Sequence, residues 1–561
     1  MRWREWSKVA FDEARRENKL VLLDLSAVWC HWCHVMDDTT YADREVARRI
    51  NESFIPVRVD IDERPDISER YNRGGFPTTA FLSDRGESIW GATYIPPADM
   101  KRIMGSILAA KASGEIDRAL EKTRLQYLDL SRRFRPKRIL DAKTLSALFE
   151  DIFSIYDVEW GGFGTQPKFP HPDVLNLLLE EYANTKQDDL ANAVKNTLDG
   201  MIDGIFDRIE GGVYRYSVTR DWRTPHFEKM LETNAGFLRN LARASIALGA
   251  ERYADIARHE VKYLLSALRN PESGGFFGSQ AADEDYYKLQ PEARAKSNPP
   301  PVDRRIYAGW NAQAISALIE AGALLREPTW IQAGLDAWKY ALSRLWDPER
   351  KLIRHMEAHD EYLFEDQAEF LDAALAVLEV SGSEEIPKTI EDLIAGADRF
   401  FADPDGGYGD IVSEQDSIGE LGSARKSLVS NSKWARGLAL YGAASHNDRL
   451  IEKADATLSA FTVDEAEAHG LFAAGFITVA RLLARGPTLV EIHGDGRAPW
   501  EDTFWVTSKK ALEPGTITLM SMSERSNTPY ALVCTQSGCY SRILDPDKLT
   551  EALKRQESSQ A

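Results

Sequence analysis

Two close pairs of cysteines are the residues with the clearest chemical potential. The 561-residue chain has four cysteines, and they fall as Cys30/Cys33 and Cys534/Cys539. Cys30 stands where a predicted strand passes into a helix, and a helix N-terminus favours a thiolate over a thiol. Cys33, one turn later, is placed to attack a mixed disulfide formed by Cys30, and His31 between them is expected to add positive charge. The spacing therefore predicts a redox-active dithiol.

Other chemistry remains open for the same cysteines. With His34, the first pair spells the Cys-x-x-Cys-His pattern of c-type haem attachment. A structural zinc site is a second alternative, if a further pair of ligands joins Cys30 and Cys33. The redox interpretation is favoured over both, so no metal and no cofactor is expected. Cys534 and Cys539 flank a tight turn, which predicts a redox or metal-capable pair, with two isolated structural thiols as the alternative.

A second group of polar and aromatic residues marks the starts or flanks of predicted helices in the middle of the chain. Carboxylates beside aromatic rings suit a sugar-type ligand, and two carboxylates can also hydrolyse a glycosidic bond. The opposite interpretation is structural, because acidic residues favour first helical turns and tryptophans near Gly-Gly turns often anchor packing. The candidate ligand-binding residues are Asp221, Trp222, His226, Glu228, Asp283, Trp310, Asn311 and Asp366.

An epimerase in this region would need a pair of facing bases, commonly histidines. His226 is one candidate. No histidine is expected at the openings of the later helices near Glu365 and Asn431, so the sequence does not favour epimerase activity.

Alternating helices and strands are predicted to hold the first cysteine pair. The short apolar run at 20–27 reads as a buried strand directly before the Cys30 helix. Further strands are predicted at 54–61, 78–82 and 88–93, with helices at 6–19, 62–72 and 98–111. This order predicts a small α/β domain over residues 1–125, followed by a polar, Arg-rich connector at 131–138.

This first region resembles thioredoxin. Four motifs follow one another in the thioredoxin order: Val21-Leu-Leu-Asp24, Trp29-Cys-x-x-Cys33, Val57-Arg-Val-Asp-Ile-Asp62 and Gly75-Phe-Pro-Thr78. The resemblance implies that Asp24 is a buried carboxylate that takes a proton from Cys33, and that Pro77 is a cis-proline facing the disulfide. It also implies that Arg58 lies beside Asp24. Residues His31-Trp32 replace the usual Gly-Pro, which leaves the direction of electron flow open.

The whole chain is similar to the spermatogenesis-associated protein 20 family, in which a thioredoxin-like domain is joined to an (α/α)6 region like that of N-acylglucosamine 2-epimerases. The marks of this resemblance are Cys-His-Trp-Cys-His-Val-Met36, Glu63-Arg-Pro-Asp66, Pro167-Lys-Phe-Pro170, Arg215-Tyr-Ser-Val218, Pro225-His-Phe-Glu-Lys-Met230, Gly274-Gly-Phe-Phe277 and Trp310-Asn311.

The middle of the chain is predicted to be entirely helical, as an (α/α)6 six-hairpin toroid over residues 139–486. Long loops that open with paired glycines recur 50 to 73 residues apart, which indicates a repeated helix pair. An open solenoid is the alternative. A small α/β cap is expected at 487–561. The twelve predicted helices span 141–156, 171–184, 189–208, 229–248, 252–270, 310–326, 329–345, 365–380, 384–401, 425–444, 447–461 and 467–485.

Composition limits the possible functions. Lys and Arg number 69 against 88 Asp and Glu, a net charge of -19, which argues against nucleic acid or an anionic membrane as partner. The N-terminus has no apolar signal region, and we expect a cytoplasmic protein. The sequence thus predicts a thiol-disulfide oxidoreductase or redox-linked binding protein, with a protein disulfide or a thioredoxin-reductase-type protein as partner. The alternatives are a carbohydrate-active enzyme with an accessory thioredoxin domain and a non-catalytic scaffold.

Overall fold

The computed structural model describes residues 1–130, 141–357, 359–412, 418–521, 526 and 528–555. The chain forms two compact units. The first comprises Met1–Lys137 together with Ile411–Arg425, and the second comprises Arg138–Asp410 and Lys426–Ala561. The sequence had assigned residues 411–425 to the helical region, and the predicted connector at 131–138 lies outside the described residues.

The first unit is built on a four-stranded sheet in the order β2-β1-β3-β4. Strand β1 runs parallel to β2 and antiparallel to β3, and β3 is antiparallel to β4. Six of the seven residues of β1 are buried, as expected for a central strand with both faces covered. The strands are β1 Leu20–Ser26, β2 Phe54–Asp60, β3 Thr78–Leu82 and β4 Ser88–Ala92.

Six helices surround this sheet. They are α1 Lys8–Glu17, α2 His31–Met36, α3 Arg44–Ser53, α4 Pro65–Tyr71, α5 Pro97–Ala112 and α6 Glu115–Leu130. Helix α2 continues into one wide turn, Asp37–Tyr41. Helices α3 and α6 had not been predicted; α3 begins where the Asp43 carboxylate accepts the backbone N–H groups of Glu45 and Val46. The arrangement confirms the predicted thioredoxin-like α/β fold.

Six helices of the second unit form an inner ring, and each is followed or preceded by an outer partner. Inner helices α8, α10, α14, α16, α18 and α21 pack side by side in that order, and α21 packs back against α8. The ring is therefore closed, and the predicted toroid is confirmed over the alternative solenoid. The long helices are α7 Ala142–Ser154, α8 Pro172–Thr185, α9 Asp188–Gly204, α10 Leu231–Leu248, α11 Glu251–Tyr263, α14 Ala308–Leu325, α15 Pro328–Arg344, α16 Phe364–Ser381, α17 Glu385–Phe400, α18 Leu428–Ala444, α19 Asp448–Leu458 and α21 Ala474–Arg485.

Polar contacts support the closure of the ring. The Arg481 guanidinium lies 2.6 Å from the Glu181 carboxylate, which joins α21 to α8. On the same pair of helices, the Thr478 hydroxyl donates to Glu180 at 3.2 Å. The last inner helix thus binds the first, across almost 300 residues of sequence.

Short elements occupy the long loops. They are helices α12 Glu284–Tyr287, α13 Pro291–Arg294 and α20 Val463–His469, and strands β5 Tyr216–Ser217, β6 Pro225–His226, β7 Lys229–Met230, β8 Ser279–Gln280, β9 Val302–Asp303, β10 Trp346–Asp347 and β11 Leu352–Ile353. In the described part of the chain, the stretch Val463–Arg485 is long and apolar enough to cross a membrane by composition alone. This stretch contains α20 and the inner helix α21. An inner helix of a toroid packs on several neighbours, so it is apolar for that reason alone.

Buried amide side chains fix the long loops to the starts of the inner helices. The Asn311 amide donates to the Phe276 and Tyr307 carbonyls and accepts the Phe276 N–H. Asn234 and Gln367, each one hairpin away, and Asn431, two hairpins away, make the same set of contacts. Because each amide satisfies backbone groups that water cannot reach, these residues hold the loops against the ring.

The C-terminal cap belongs to the same compact unit as the toroid. Its sheet has the order β13-β12-β14-β15. The elements are β12 Thr488–His493, α22 Thr503–Ala511, β13 Thr516–Met520, β14 Tyr530–Thr535, β15 Gly538–Cys539 and α23 Pro546–Arg555. Lys509 of α22 and the Thr518 N–H of β13 both bind the carboxylate of Glu379, on inner helix α16. The predicted α/β cap is confirmed, and α22 is an addition to it.

Candidate functional site

The Cys30/Cys33 pair opens helix α2, at the C-terminal end of the central strand β1. Cys30 is the residue that caps the helix, and its Sγ accepts the Cys33 backbone N–H at 3.2 Å. The two cysteines form a disulfide, and both are almost fully buried. An N–H group aimed at the Cys30 sulfur also stabilises a thiolate there after reduction. The Phe76–Pro77 peptide bond is cis, as the resemblance to thioredoxin implied.

Strand register brings the buried Asp24 together with the partly exposed Arg58, which also binds the turn that continues this helix. Asp24 on β1 pairs in register with Arg58 on β2, so both side chains leave the sheet on one face. The Arg58 Nε lies 2.7 Å from an Asp24 carboxylate oxygen, and the Tyr41 hydroxyl donates to the other at 3.1 Å. Burial raises the pKa of Asp24 to about 6, although Arg58 opposes the rise. A carboxyl with this pKa can exchange protons close to neutral pH.

Three further residues complete the surroundings of Arg58, and sequence reasoning had missed them. The second carboxylate bound by the guanidinium is Asp37, with Nη1 at 3.2 Å. The Trp3 ring lies under the guanidinium, 4.4 Å from its centre, and meets the Tyr41 ring edge to face. Asp37 and Tyr41 follow Cys33 at steps of four residues. That spacing on one helical face was the available signal.

Aromatic side chains flank the disulfide. Trp29 is buried, and its indole N–H donates to Asp62 at 2.6 Å. Trp32, inside the motif, is 48% exposed and packs against Tyr94. His31 is exposed beside it. Trp32 thus presents an apolar ring to solvent beside the disulfide.

The candidate residues of the toroid form two histidine-carboxylate pairs. His226 Nδ1 contacts the carboxylate of Glu228, and the His226 ring stacks on Tyr216 at 4.7 Å. Glu228 is fully buried, and its other carboxylate oxygen has no hydrogen-bond partner in the described part of the chain. This pair lies just before inner helix α10.

The second pair corrects an expectation from sequence. His355 Nδ1 lies 2.8 Å from the Asp366 carboxylate, at the opening of α16 where no histidine had been expected. The other oxygen of Asp366 accepts the Gly309 N–H at 2.9 Å. The His355 ring also approaches Tyr307, and Tyr307 packs against Trp310 at 4.8 Å. His355 lies eleven residues before Asp366, so helical periodicity gave no signal for it.

The remaining candidates make structural contacts. Trp222 is buried against the hairpin glycines, and its indole N–H donates to the Trp160 carbonyl at 3.1 Å. Asp221 accepts from Thr219 within a turn, and Asp283 caps the short helix α12. Asn311 is fully occupied by backbone groups, as described above. The structure therefore brings together His226 with Glu228, and Trp310 with the Asp366 pair, but it gives the other four structural partners.

The second cysteine pair lies at the edge of the cap sheet. Cys534 and Cys539 are cross-strand neighbours on β14 and β15 and form a disulfide. Cys539 is exposed, whereas Cys534 is buried. Within the described residues, no group of three or more His, Cys, Asp or Glu side chains is arranged to hold a metal ion.

Comparisons with known proteins agree with this geometry. Residues 1–133 match the family model Thioredox_DsbH, described as "Protein of unknown function, DUF255". The chain is also 33% identical over 305 residues to mouse (Mus musculus) spermatogenesis-associated protein 20. Half of this chain is homologous to spermatogenesis-associated protein 20. The family resemblance drawn from the motifs is thus confirmed, although the match spans only 38% of the mouse protein's length.

Two further matches concern the separate units. Thioredoxin H7 of Arabidopsis thaliana is 36% identical over 86 residues, which is 15% of this chain and 62% of that protein. Among solved structures, a sugar epimerase from a ruminal bacterium is 12% identical with a TM-score of 0.48, over 61% of this chain and 99% of that one. The homology to thioredoxin agrees with the Cys30, Asp24 and Pro77 geometry of the first unit.

Proposed function

We propose that the first unit is a thiol-disulfide oxidoreductase that acts on disulfides of protein substrates. The observation that carries this proposal is the Cys30–Cys33 disulfide at a helix N-terminus, in a unit that also holds a buried carboxyl, Asp24, with a pKa raised to about 6. A structural disulfide needs neither feature. Both are useful when one sulfur must become a nucleophile and the other must lose a proton.

The proposed exchange gives each of these groups a role. In the reduced protein, the Cys30 thiolate attacks one sulfur of a substrate disulfide, and the other substrate sulfur leaves as a thiolate. Ionised Asp24 accepts the proton of Cys33, whose thiolate then attacks Cys30 Sγ and releases the second substrate sulfur. The products are a substrate dithiol and the Cys30–Cys33 disulfide. A dithiol reductase of the thioredoxin-reductase type would return the protein to its reduced form.

Trapping of the mixed disulfide tests this proposal. Cys33→Ser should accumulate covalent adducts with protein substrates, because nothing resolves the bond to Cys30. Cys30→Ser should accumulate none, and Cys539→Ser in the cap is the control that should behave like the unchanged protein. Non-reducing gels followed by mass spectrometry detect the adducts. Equal trapping by Cys33→Ser and Cys30→Ser would show that Cys30 is not the nucleophile.

A carbohydrate-like ligand at the loop end of the toroid is the second candidate function. It is favoured by the two histidine-carboxylate pairs at the openings of α10 and α16, with the Trp310 ring beside one of them. The half-buried His226 is a polar group that a ligand could contact. This function would make the toroid a binding or carbohydrate-active part, and the thioredoxin-like unit an accessory.

Variants of the two carboxylates separate this candidate from a scaffold. A sugar that binds only the folded protein raises its melting temperature. Glu228→Gln and Asp366→Asn should each abolish that shift and leave the melting temperature without sugar nearly unchanged. If both variants instead unfold the protein, and neutral sugars, amino sugars and sugar phosphates give no shift, the carboxylates are structural and the toroid is a scaffold.

A further inference from the structure

The disulfide of the C-terminal cap lies at the open edge of its sheet. Strand β15 is the last in the order β13-β12-β14-β15, so no further strand pairs with it in the described part of the chain. Residues 536–542, which include Cys539, are all exposed. Cys534, on the inner neighbour β14, is only 5% exposed. A second protein can therefore reach the sulfur of Cys539 far more readily than that of Cys534.

The direction of the S–S bond also favours attack on Cys539. A thiolate displaces one sulfur of a disulfide, and it approaches from the side opposite the sulfur that leaves. Cys534 and Cys539 are cross-strand partners, so the bond between them runs across the sheet from β14 to β15. For attack on Cys539, the side of approach is the open edge. For attack on Cys534 it is β12, the strand that pairs with β14 on its other side.

The backbone of Cys539 faces the same open edge. The Tyr540 N–H donates to the Val533 carbonyl at 2.9 Å, which makes these two residues a hydrogen-bonded pair and the adjacent cysteines a non-hydrogen-bonded pair. The N–H and carbonyl of Cys539 thus point away from β14. An edge strand with outward-facing backbone groups is a template for pairing with another chain.

The first unit has unpaired backbone beside its own disulfide. Thr78, the first residue of β3, pairs with Leu25 near the end of β1, so Phe76 lies at the edge of the sheet where the Cys30 helix begins. Phe76 is half-buried, and it makes no backbone–backbone hydrogen bond within the described residues. An incoming edge strand can pair there while its sulfur meets Cys30.

Exposed apolar side chains flank both disulfides. In the part of the chain that the structure describes, ten large apolar side chains are exposed, and four of them lie within five residues of a cysteine in sequence. Association of the two surfaces buries apolar area on both, and burial of apolar area favours binding. The four side chains are Val28, Trp32, Tyr540 and Leu544.

We infer that the Cys534–Cys539 disulfide of one copy of this chain is a substrate of the Cys30/Cys33 dithiol of a second copy. This inference rests on the proposed oxidoreductase function, for which it names a substrate. The exposed edge, the direction of the S–S bond and the outward-facing backbone all make Cys539 the sulfur that is attacked.

The exchange has two steps. The Cys30 thiolate attacks Cys539 Sγ, the bond to Cys534 breaks, and the Cys534 thiolate leaves and takes a proton. Cys33, deprotonated as in the exchange proposed above, then attacks Cys30 Sγ and releases the Cys539 thiolate, which takes a second proton. Two electrons and two protons thus pass from the first unit of one copy to the cap of the other. The thioredoxin-reductase-type partner supplies them again.

Two variants of the full-length chain isolate the first step. The attacking variant, Cys33→Ser/Cys534→Ser/Cys539→Ser, keeps Cys30 as its single cysteine. The accepting variant, Cys30→Ser/Cys33→Ser, keeps only the cap disulfide, and a mass gain of about 2 Da on reduction verifies that disulfide. When the reduced attacking variant and the oxidised accepting variant are mixed without oxygen, a disulfide-linked pair of chains should form. Peptide mapping should find Cys30 joined to Cys539.

The matched control for the attacking variant is Cys30→Ser/Cys534→Ser/Cys539→Ser, which keeps Cys33 as its single cysteine. It should form roughly tenfold less of the linked pair, because Cys33 lies inside the helix rather than at its N-terminal cap. Equal yields from the two variants would overturn the inference.

Insulin, mixed with the attacking variant in parallel, separates this inference from the proposed function. An adduct with insulin but none with the accepting variant would overturn the inference and leave the proposed function intact. No adduct with either disulfide would overturn both.

Substitutions of exposed rings test the docking of the two surfaces. Trp32→Ser in the attacking variant and Tyr540→Ser in the accepting variant should each slow formation of the linked pair by roughly fivefold, the effect of about half an aromatic ring of buried area. Trp90→Ser, at an exposed tryptophan of edge strand β4, is the matched control and should leave the rate unchanged. Unchanged rates for both Trp32→Ser and Tyr540→Ser would overturn docking by these surfaces.

Discussion

Asp24 determines how the first unit responds to pH. The carboxyl is 1% exposed, so its ionised form lacks the solvation that water would provide. The attraction of Arg58 compensates for only part of this loss. Its pKa is about 6 in the folded protein, against an ordinary value of 3.8. The folded state therefore holds the proton more tightly than the unfolded state does. This favourable contribution to stability is complete below pH 3.8 and is lost as the pH rises through 6.

Asp24→Asn should for this reason stabilise the protein in neutral solution. At pH 8 the variant should gain on the order of 3 kcal/mol in the free energy of unfolding, from two pKa units at 1.36 kcal/mol each. Arg58 keeps Asp37 as its partner. The gain should shrink toward pH 4, where Asp24 is protonated in the folded state and already partly protonated in the unfolded state. Melting temperatures measured across this pH range provide the test.

The control for this prediction is Asp38→Asn, because Asp38 is exposed on the neighbouring turn. It should change the melting temperature little at any pH. A gain for Asp24→Asn that is equally large at pH 4 and pH 8 would show that the carboxyl does not titrate as described.

At the level of elements, buried lysines anchor the long loops of the second unit beside its inner helices. The Lys229 ammonium is fully buried, 2.7 Å from Asp207 and 2.7 Å from the Gly211 carbonyl, and is surrounded by tyrosine rings. Lys168 contacts Asp157 and the Gly161 carbonyl in the same way one hairpin earlier. In each case the carbonyl belongs to a glycine with positive φ, which a Cβ would strain. A buried lysine thus holds each glycine turn against the ring.

Lys229→Met should destabilise the second unit strongly. Methionine has a similar length, but it leaves the buried Asp207 with Arg294 as its remaining cation. Removal of one member of a buried ion pair costs about 3–5 kcal/mol. Chemical denaturation measures the loss. Lys262→Met, on the exposed face of α11, is the matched control and should cost little; a similar loss in both variants would contradict the anchoring role.

The Cys534–Cys539 disulfide joins β14 and β15 at the edge of the cap sheet. Cys539 is exposed at the end of the sheet, so a small dithiol can reach the Cys534–Cys539 disulfide while the cap stays folded. The exposed Cys539 should become alkylated after mild reduction, and neither cysteine should be alkylated before it. Differential alkylation with peptide mapping provides the measurement. Alkylation of both cysteines without reductant would show that the pair is not oxidised in solution.

The whole molecule should carry two disulfides and no thiol when it is oxidised. Because each disulfide lacks two hydrogens, the intact mass should rise by about 4 Da on full reduction. The same spectrum tests the alternatives for the Cys30 motif, since attached haem or retained zinc adds a far larger mass. A mass unchanged by reductant would contradict both disulfides.

The sequence alone predicted most local elements of the first unit, though not α3 and α6, and it located the cysteine motif. Strand and helix periodicity predicted β1 and the helix that begins after Cys30, and the motif order predicted Asp24, Arg58 and Pro77. The two elements depend on residues that are close in sequence. The three residues were located by the order and spacing of the motifs that contain them. The helix pairs of the toroid were predictable for the same reason, because each paired glycine marks a turn.

Only the tertiary structure decided which distant residues meet. His355 joins Asp366 through a loop without periodicity, and Asn311 proved to be occupied by backbone that approaches from the Phe276 loop. Whether the helices formed a ring or a solenoid depended on contacts between α21 and α8, separated by some 300 residues. The cavity lined by all six inner helices and by the cap exists only because that ring closes. Contacts of this kind depend on the packing of whole elements, which local sequence does not encode.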